Sequence, residues 1–177
     1  MPDLAWWLQH FERSAFRLET LPVYSVPQEE EWFAEWQRSG KLPELTPATD
    51  SWLKLVEDAK QAGKRMQRVH LVTPPLSEYL RFELATQIPS VDCGEDCRIA
   101  EAPHIEQVVN PLEDYWLFDE TATILLHYDD EGRFLGTEQA GDAVLYRRQR
   151  DLTLIHSVSL KEYLATVDAT GGPPPTW

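Results

Sequence analysis

The sequence predicts an α+β fold in which a single mixed, largely antiparallel sheet is packed with helices. Three observations carry this expectation. Helical periodicity and strand alternation are interleaved in the first part of the chain, and three strand-like segments broken by turn signals follow. No internal repeat suggests a solenoid, and the 42% apolar fraction, with seven Trp, six Tyr and six Phe in 177 residues, suffices for a packed core. One domain over 1–169 is expected, with a flexible tail at 170–177 (TGGPPPTW).

Taken in order, Leu4 to Phe11 reads as a short helix because Trp7, Leu8 and Phe11 share a face. Ser14 to Ser25 alternates Phe16 and Leu18, then Leu21 and Val23, against Arg17 and Glu19, which predicts a strand interrupted near Pro22. Pro27 with Glu29, Glu30 and Glu31 places acid in a first helical turn, and Trp32, Phe33 and Trp36 follow at helical spacing until Gly40. That aromatic trio serves either as core or as a partner-facing patch. Thr49 or Asp50 caps a helix carrying Trp52, Leu53, Val56 and Ala59, which Gly63 ends.

Met66 to Thr73 reads as an inner strand broken by Pro74-Pro75. Ser77 caps the next helix, whose stripe is Leu76, Leu80, Leu84 and Ile88. A short strand at Arg98 to Ala100 precedes three antiparallel strands at Tyr115 to Phe118, Thr121 to Tyr128 and Arg133 to Glu138, with Asp129-Asp130-Glu131-Gly132 as the turn between the last two. Asp142 caps a helix reaching about His156, with Leu145, Leu152 and Ile155 inward, and Ser159 starts a final helix ending near Val167.

The 16 basic and 30 acidic residues give a net charge of −14, which repels phosphates and anionic lipid and steers basic protein surfaces inward. Direct nucleic-acid or membrane binding is therefore not expected. The basic stretches Lys60 to Arg68 and Arg147-Arg148-Gln149-Arg150 read as solvated helix faces or helix C-termini, with a segregated basic patch as the alternative. No apolar run approaches the roughly 20 residues of a membrane span, no signal peptide is read, and the expected setting is cytoplasmic. Cys93 and Cys97, in VDCGEDC, are expected as free thiols there, although a disulfide closing a short loop is open to them.

No catalytic pattern emerges. None of the five His begins an H-x-K motif, and the phosphate loop, dinucleotide fingerprint, nucleophile elbow and zinc-protease motif are all missing. No cofactor, metal site or catalytic residue is assigned.

The segment Phe11 to Glu19 (FERSAFRLE) with Tyr24 after it, the segment Val69 to Glu83 (VHLVTPPLSEYLRFE), and Asp114 to Asp119 (DYWLFD) followed by His127-Tyr128-Asp129 resemble successive blocks of an uncharacterised actinobacterial family. The resemblance implies a domain of unknown function, encoded beside helix-turn-helix regulators of development or secondary metabolism. Its strand-proline-helix and W-L-F-D blocks are also similar to phospholipase D-like lobes stripped of their catalytic His and Lys. VDCGEDC departs from the family, which more often has a cysteine-free loop in that region.

The matched polar residues Tyr79, Arg81, Glu83, Trp116, Asp119 and His127 are the ligand-binding or interaction candidates. Arg81 is expected either to form a structural ion pair with Asp119 or Asp114, or to clamp an anion. His127 should share a strand side with Thr123, Leu125 and Asp129 and face an acid. The leading expectation is a non-enzymatic interaction or regulatory module, a protein partner of a helix-turn-helix transcription regulator. The alternative is a small-molecule sensor or degenerate phospholipase D-like enzyme with a pocket near Arg81, Trp116 and His127.

Overall fold

The computed structural model describes residues 3–169, so the tail expected at 170–177 lies outside the described residues. Its elements in order are α1 (Leu4–His10), β1 (Ser14–Glu19), α2 (Pro27–Ser39), α3 (Ser51–Gln61), β2 (Arg65–Val72), α4 (Glu78–Thr86), α5 (Ile88–Cys93), β3 (Asp96–Glu101), α6 (Ala102–Ile105), β4 (Asp114–Phe118), β5 (Ala122–Tyr128), β6 (Phe134–Ala140), α7 (Ala143–Ile155), β7 (Val158–Ser159) and α8 (Leu160–Ala169). All strands join one seven-stranded sheet in the order β6-β5-β4-β1-β2-β3-β7. The β1–β2 and β2–β3 ladders are parallel and the rest are antiparallel, so the fold is α+β with a mixed sheet.

The two parallel ladders follow from chain economy, since parallel neighbours need a crossover and helices α2–α3 and α4–α5 supply it. Both faces of the sheet are covered. On one, Phe16, Leu18, Val69, Leu71, Tyr115 and Leu117 form a dry core closed by α6 and α7. On the other, α1 and α3 pack over Ala15, Met66, Trp116 and Phe118 at one side, and α4, α5 and α8 pack over Val72, Cys97 and Ile99 at the other. We call these the dry face and the site face.

Local chemistry sets the element ends. Asp50, Ser77 and Asp142 each accept a backbone N–H at the start of their helices, and Gly40 ends α2 in the left-handed region. The first strand stops at Glu19 instead of continuing past Pro22, because Thr20 and Leu21 bond side chains of the site in place of a ladder. The leucine stripe after Ser77 is split, with Ile88 opening α5. In α7 the buried set is Tyr146, Gln149 and Thr153, and the expected inward Ile155 is 75% exposed at the helix end. Cys93 and Cys97 are free thiols. Among the described residues no helix is long and apolar enough to cross a membrane.

Candidate functional site

The site grows from strand alternation. In β1, Phe16 and Leu18 enter the dry core while Arg17 and Glu19 project to the site face; in β2, Val69 and Leu71 do the first and Arg68 and His70 the second. Parallel register sets Arg17 beside Arg68 and Glu19 beside His70, and the antiparallel ladder sets Arg17 beside Trp116. Two neighbouring guanidinium groups repel each other unless anions surround them. Here acids do.

Arg17 is only 3% exposed. Its Nη2 donates to Asp114 Oδ2 at 2.7 Å and to the Tyr128 hydroxyl at 3.3 Å, and its Nη1 donates to the Leu18 carbonyl at 2.7 Å. Asp114 is filled by further donors, accepting from the Tyr24 hydroxyl at 2.6 Å and from the backbone N–H and hydroxyl of Thr20. Arg68 donates through Nη1 to Glu19 Oε1 at 2.7 Å and through Nε to Glu95 Oε1 at 3.0 Å, and lies over the Trp52 ring. Glu95 also accepts from the Ser90 hydroxyl and from the Trp52 indole N–H. His70 is fully buried, with Nδ1 3.1 Å from Glu19 Oε2 but without the angle of a hydrogen bond, and its Nε2 is unpartnered.

The charges follow from this geometry. Burial alone would raise the Glu19 carboxyl; Arg68, then His70 and Arg17, reverse that and hold it well below the usual range. Burial would likewise lower the His70 imidazole, but Glu19 and Glu83 outweigh it and hold its proton to higher pH. Glu83 goes the other way. Burial dominates, with only partial relief from His70, and pushes its carboxyl up to about 7. Burial likewise raises Glu29, against a hydrogen bond from Tyr79.

Arg17, Glu19, Arg68 and Glu95, with Glu29 and Glu83, wall a cavity of about 430 Å³ between the site face, α2, α3, α4 and α5. Glu83 of α4 lines it while only 7% exposed, and neither of its carboxyl oxygens receives a hydrogen bond from the described residues. Trp32 of α2 also lines it, and among the described residues its ring pairs with no other, whereas Phe33 and Trp36 pack on Phe82. The aromatic trio thus divides between the cavity and a half-buried packing against Phe82.

Of the residues singled out from the sequence, Glu83 and Trp116 line the cavity. Tyr79 lies next to it, donating its hydroxyl to the Tyr24 carbonyl and to Glu29 Oε2, both at 3.0 Å. Arg81, Asp119 and His127 are not brought to it. Arg81 is half-buried on α4 and forms neither expected ion pair, because Asp114 is taken by Arg17 and Asp119 by backbone. Asp119 accepts the N–H groups of Glu12, Arg13 and Ser14 at 2.8, 2.7 and 3.0 Å, tying the β4–β5 turn to the start of β1. His127 is exposed on the Thr123 and Leu125 side of β5, and its Nε2 lies 3.3 Å from Glu138 Oε2. Among the described residues no group of three or more His, Cys, Asp or Glu side chains is placed to hold a metal ion.

Arg17, Glu19, Arg68, His70 and Glu95 were not foreseen as site residues. A signal for four of them was present: ionisable side chains at alternating positions in two segments that read as strands, the second of them an inner one. Glu95, in the turn before β3, gave none.

Residues 2–165 match the family model described as "Domain of unknown function (DUF6879)", and the chain belongs to that family. No curated protein matches the chain significantly.

Proposed function

We propose that this chain is a small-molecule-binding domain that senses its ligand in the cavity of the site face and carries out no chemistry on it. The observation that carries the reading is the placement of a buried Arg–carboxylate network around an open space of about 430 Å³. Cavities of roughly 300–1,000 Å³ with convergent polar groups are of ligand size. A structural need does not explain the network, since apolar residues of similar volume usually give equal or better stability than buried ion pairs.

Several details favour binding over catalysis. Ser90, a cavity hydroxyl, donates to Glu95, whose oxygens are also occupied by Arg68 and the Trp52 indole, so no free acceptor stands beside it. His70 faces Glu19 and does not line the cavity.

The test is a melt of the full chain against fractionated metabolite extract, with the seven tryptophan indole N–H signals followed by NMR. A ligand at about 100 times its Kd adds about 2.7 kcal/mol of stability. An active fraction that raises the melting temperature and moves the Trp52 indole signal is the expected result. Extracts that change neither count against the reading.

A second reading, a partner of a helix-turn-helix regulator, is favoured by the net charge of −14, which attracts basic DNA-reading surfaces. The free thiols of Cys93 and Cys97 favour a reducing, cytoplasmic setting for either reading. Gel-shift titration of co-purifying regulators in rising salt tests it; DNA binding unchanged by the protein counts against it.

A further inference from the structure

We propose that the ligand of the site-face cavity is a small organic cation, an ammonium or amidinium group on an apolar or aromatic body, held by the carboxylates of Glu83 and Glu29. This rests on the reading of the cavity as a ligand site and gives that ligand its chemical class.

The charge count around the cavity decides it. Arg17 is matched by Asp114, Arg68 by Glu95, and His70 by Glu19, with Glu19 shared by Arg68 as well. Asp50, also on the wall, caps α3 by accepting the Leu53 N–H, where the helix dipole compensates it. Glu83 and Glu29 remain. Both line the cavity, and neither forms an ion pair with any described residue. An anion entering here would meet arginines already neutralised and two acids still unpaired, whereas a cation would meet the missing counter-charge.

The independent mark of a ligand is Glu83 itself. It is more than nine-tenths buried, faces the cavity, and has no hydrogen-bond partner among the described residues, which few buried polar groups tolerate. The walls fit the rest of the ligand. Trp32 offers an unpaired ring, and Trp116 and Tyr24 add aromatic surface, so a cation gains ring-face attraction as well as a carboxylate.

The groups facing Glu83 are His70 and Arg68 from β2, Glu19 from β1 and Glu29 from α2, with Tyr79 on its own helix. Burial, the largest influence, leaves its carboxyl near 7, half neutral at that pH. A cation would ionise it and release a proton, so affinity should rise about tenfold between pH 6 and pH 8 as the ionised fraction grows.

Two isosteric sets of fragments test the proposal on the full chain: tyramine, tyrosol and 4-hydroxyphenylacetate, and benzamidine, benzamide and benzoate. Binding is read from the Trp52 and Trp116 indole N–H shifts at 150 mM salt. Because the −14 surface attracts cations anywhere, Glu83→Gln is compared with Glu131→Gln on the exposed β5–β6 turn. The expected result is that each cation binds at least fivefold better than its neutral isostere and each anion worst. Glu83→Gln should weaken the cations at least tenfold, and Glu131→Gln should leave them unchanged. Cation binding indifferent to Glu83→Gln overturns the proposal, as does a preference for the neutral or anionic members; the latter leaves the cavity a ligand site of another class. If no fragment of any charge moves the indole signals, the ligand-site reading itself fails.

Discussion

The two faces of the same strands solve opposite problems. On the dry face, Phe16, Leu18, Val69 and Leu71 are buried among aliphatic and aromatic neighbours and carry no polar atom to satisfy. One residue along, Arg17, Glu19, Arg68 and His70 are buried or nearly so, and their charges are compensated by one another and by Asp114 and Glu95. The backbone is shared, so the difference is entirely in side-chain chemistry. The dry face gives stability by removing apolar surface from water, at about 25 cal/mol per Å². The ion-pair network of the site face gives little net stability of its own, although apolar clusters flank it, and it lines an open cavity.

That comparison is sharpest where one residue is removed from each side. Arg17→Ala should cost most, about 3–5 kcal/mol, because it strands the buried Asp114 carboxylate without its guanidinium. Leu18→Ala, its neighbour with 0% exposure, should cost about 3 kcal/mol through lost burial and the cavity left behind. Urea unfolding of the two variants checks the order. The faces also differ in rescue, since replacing Arg17 and Asp114 together by Met and Leu should recover part of the loss, and a failure to recover any would show that the network is needed for folding.

Smaller effects test residues outside both cores. Asp119→Ala should cost about 1–2 kcal/mol, because three backbone N–H groups lose a helix-cap-like acceptor and alanine tolerates the left-handed φ of 50° there less well than aspartate. Arg81→Ala should change stability by less than about 0.5 kcal/mol, because its guanidinium pairs with no described residue. Thermal melts suffice for both.

How far the sequence reached follows from the same contrast. Periodicity revealed most elements, because each helix and strand has an apolar face and burying that face is what forms it: the Leu80 and Leu84 stripe and the β4-β5-β6 meander are examples. The caps Asp50, Ser77 and Asp142 were legible for the same local reason. The site was only half legible. Glu83 and Trp116 stood out within matched blocks, but Arg17 and Arg68 come from strands separated by α2 and α3, and no local pattern says that parallel register will set them side by side. Asp119 and Arg81 misled in the expected pairing for a complementary reason: charge complementarity is visible in a sequence, whereas the backbone amides that claim Asp119 are not.

The central claim is that the site face keeps an unpaired acid at the expense of stability. The most direct measurement is unfolding free energy from pH 5 to pH 8 for the wild-type chain and Glu83→Gln. Glu83 is raised from 4.5 to about 7. Between those values the folded state holds more protons than the unfolded state, so this group's contribution is fully present below pH 4.5 and is lost as pH rises through 7. The full loss is about 3 kcal/mol. Glu83→Gln, which cannot ionise, should therefore be more stable than wild type by roughly 2–3 kcal/mol at pH 8 and by less than about 1 kcal/mol at pH 5. A variant no more stable than wild type at pH 8, or a difference that does not change with pH, would contradict the account.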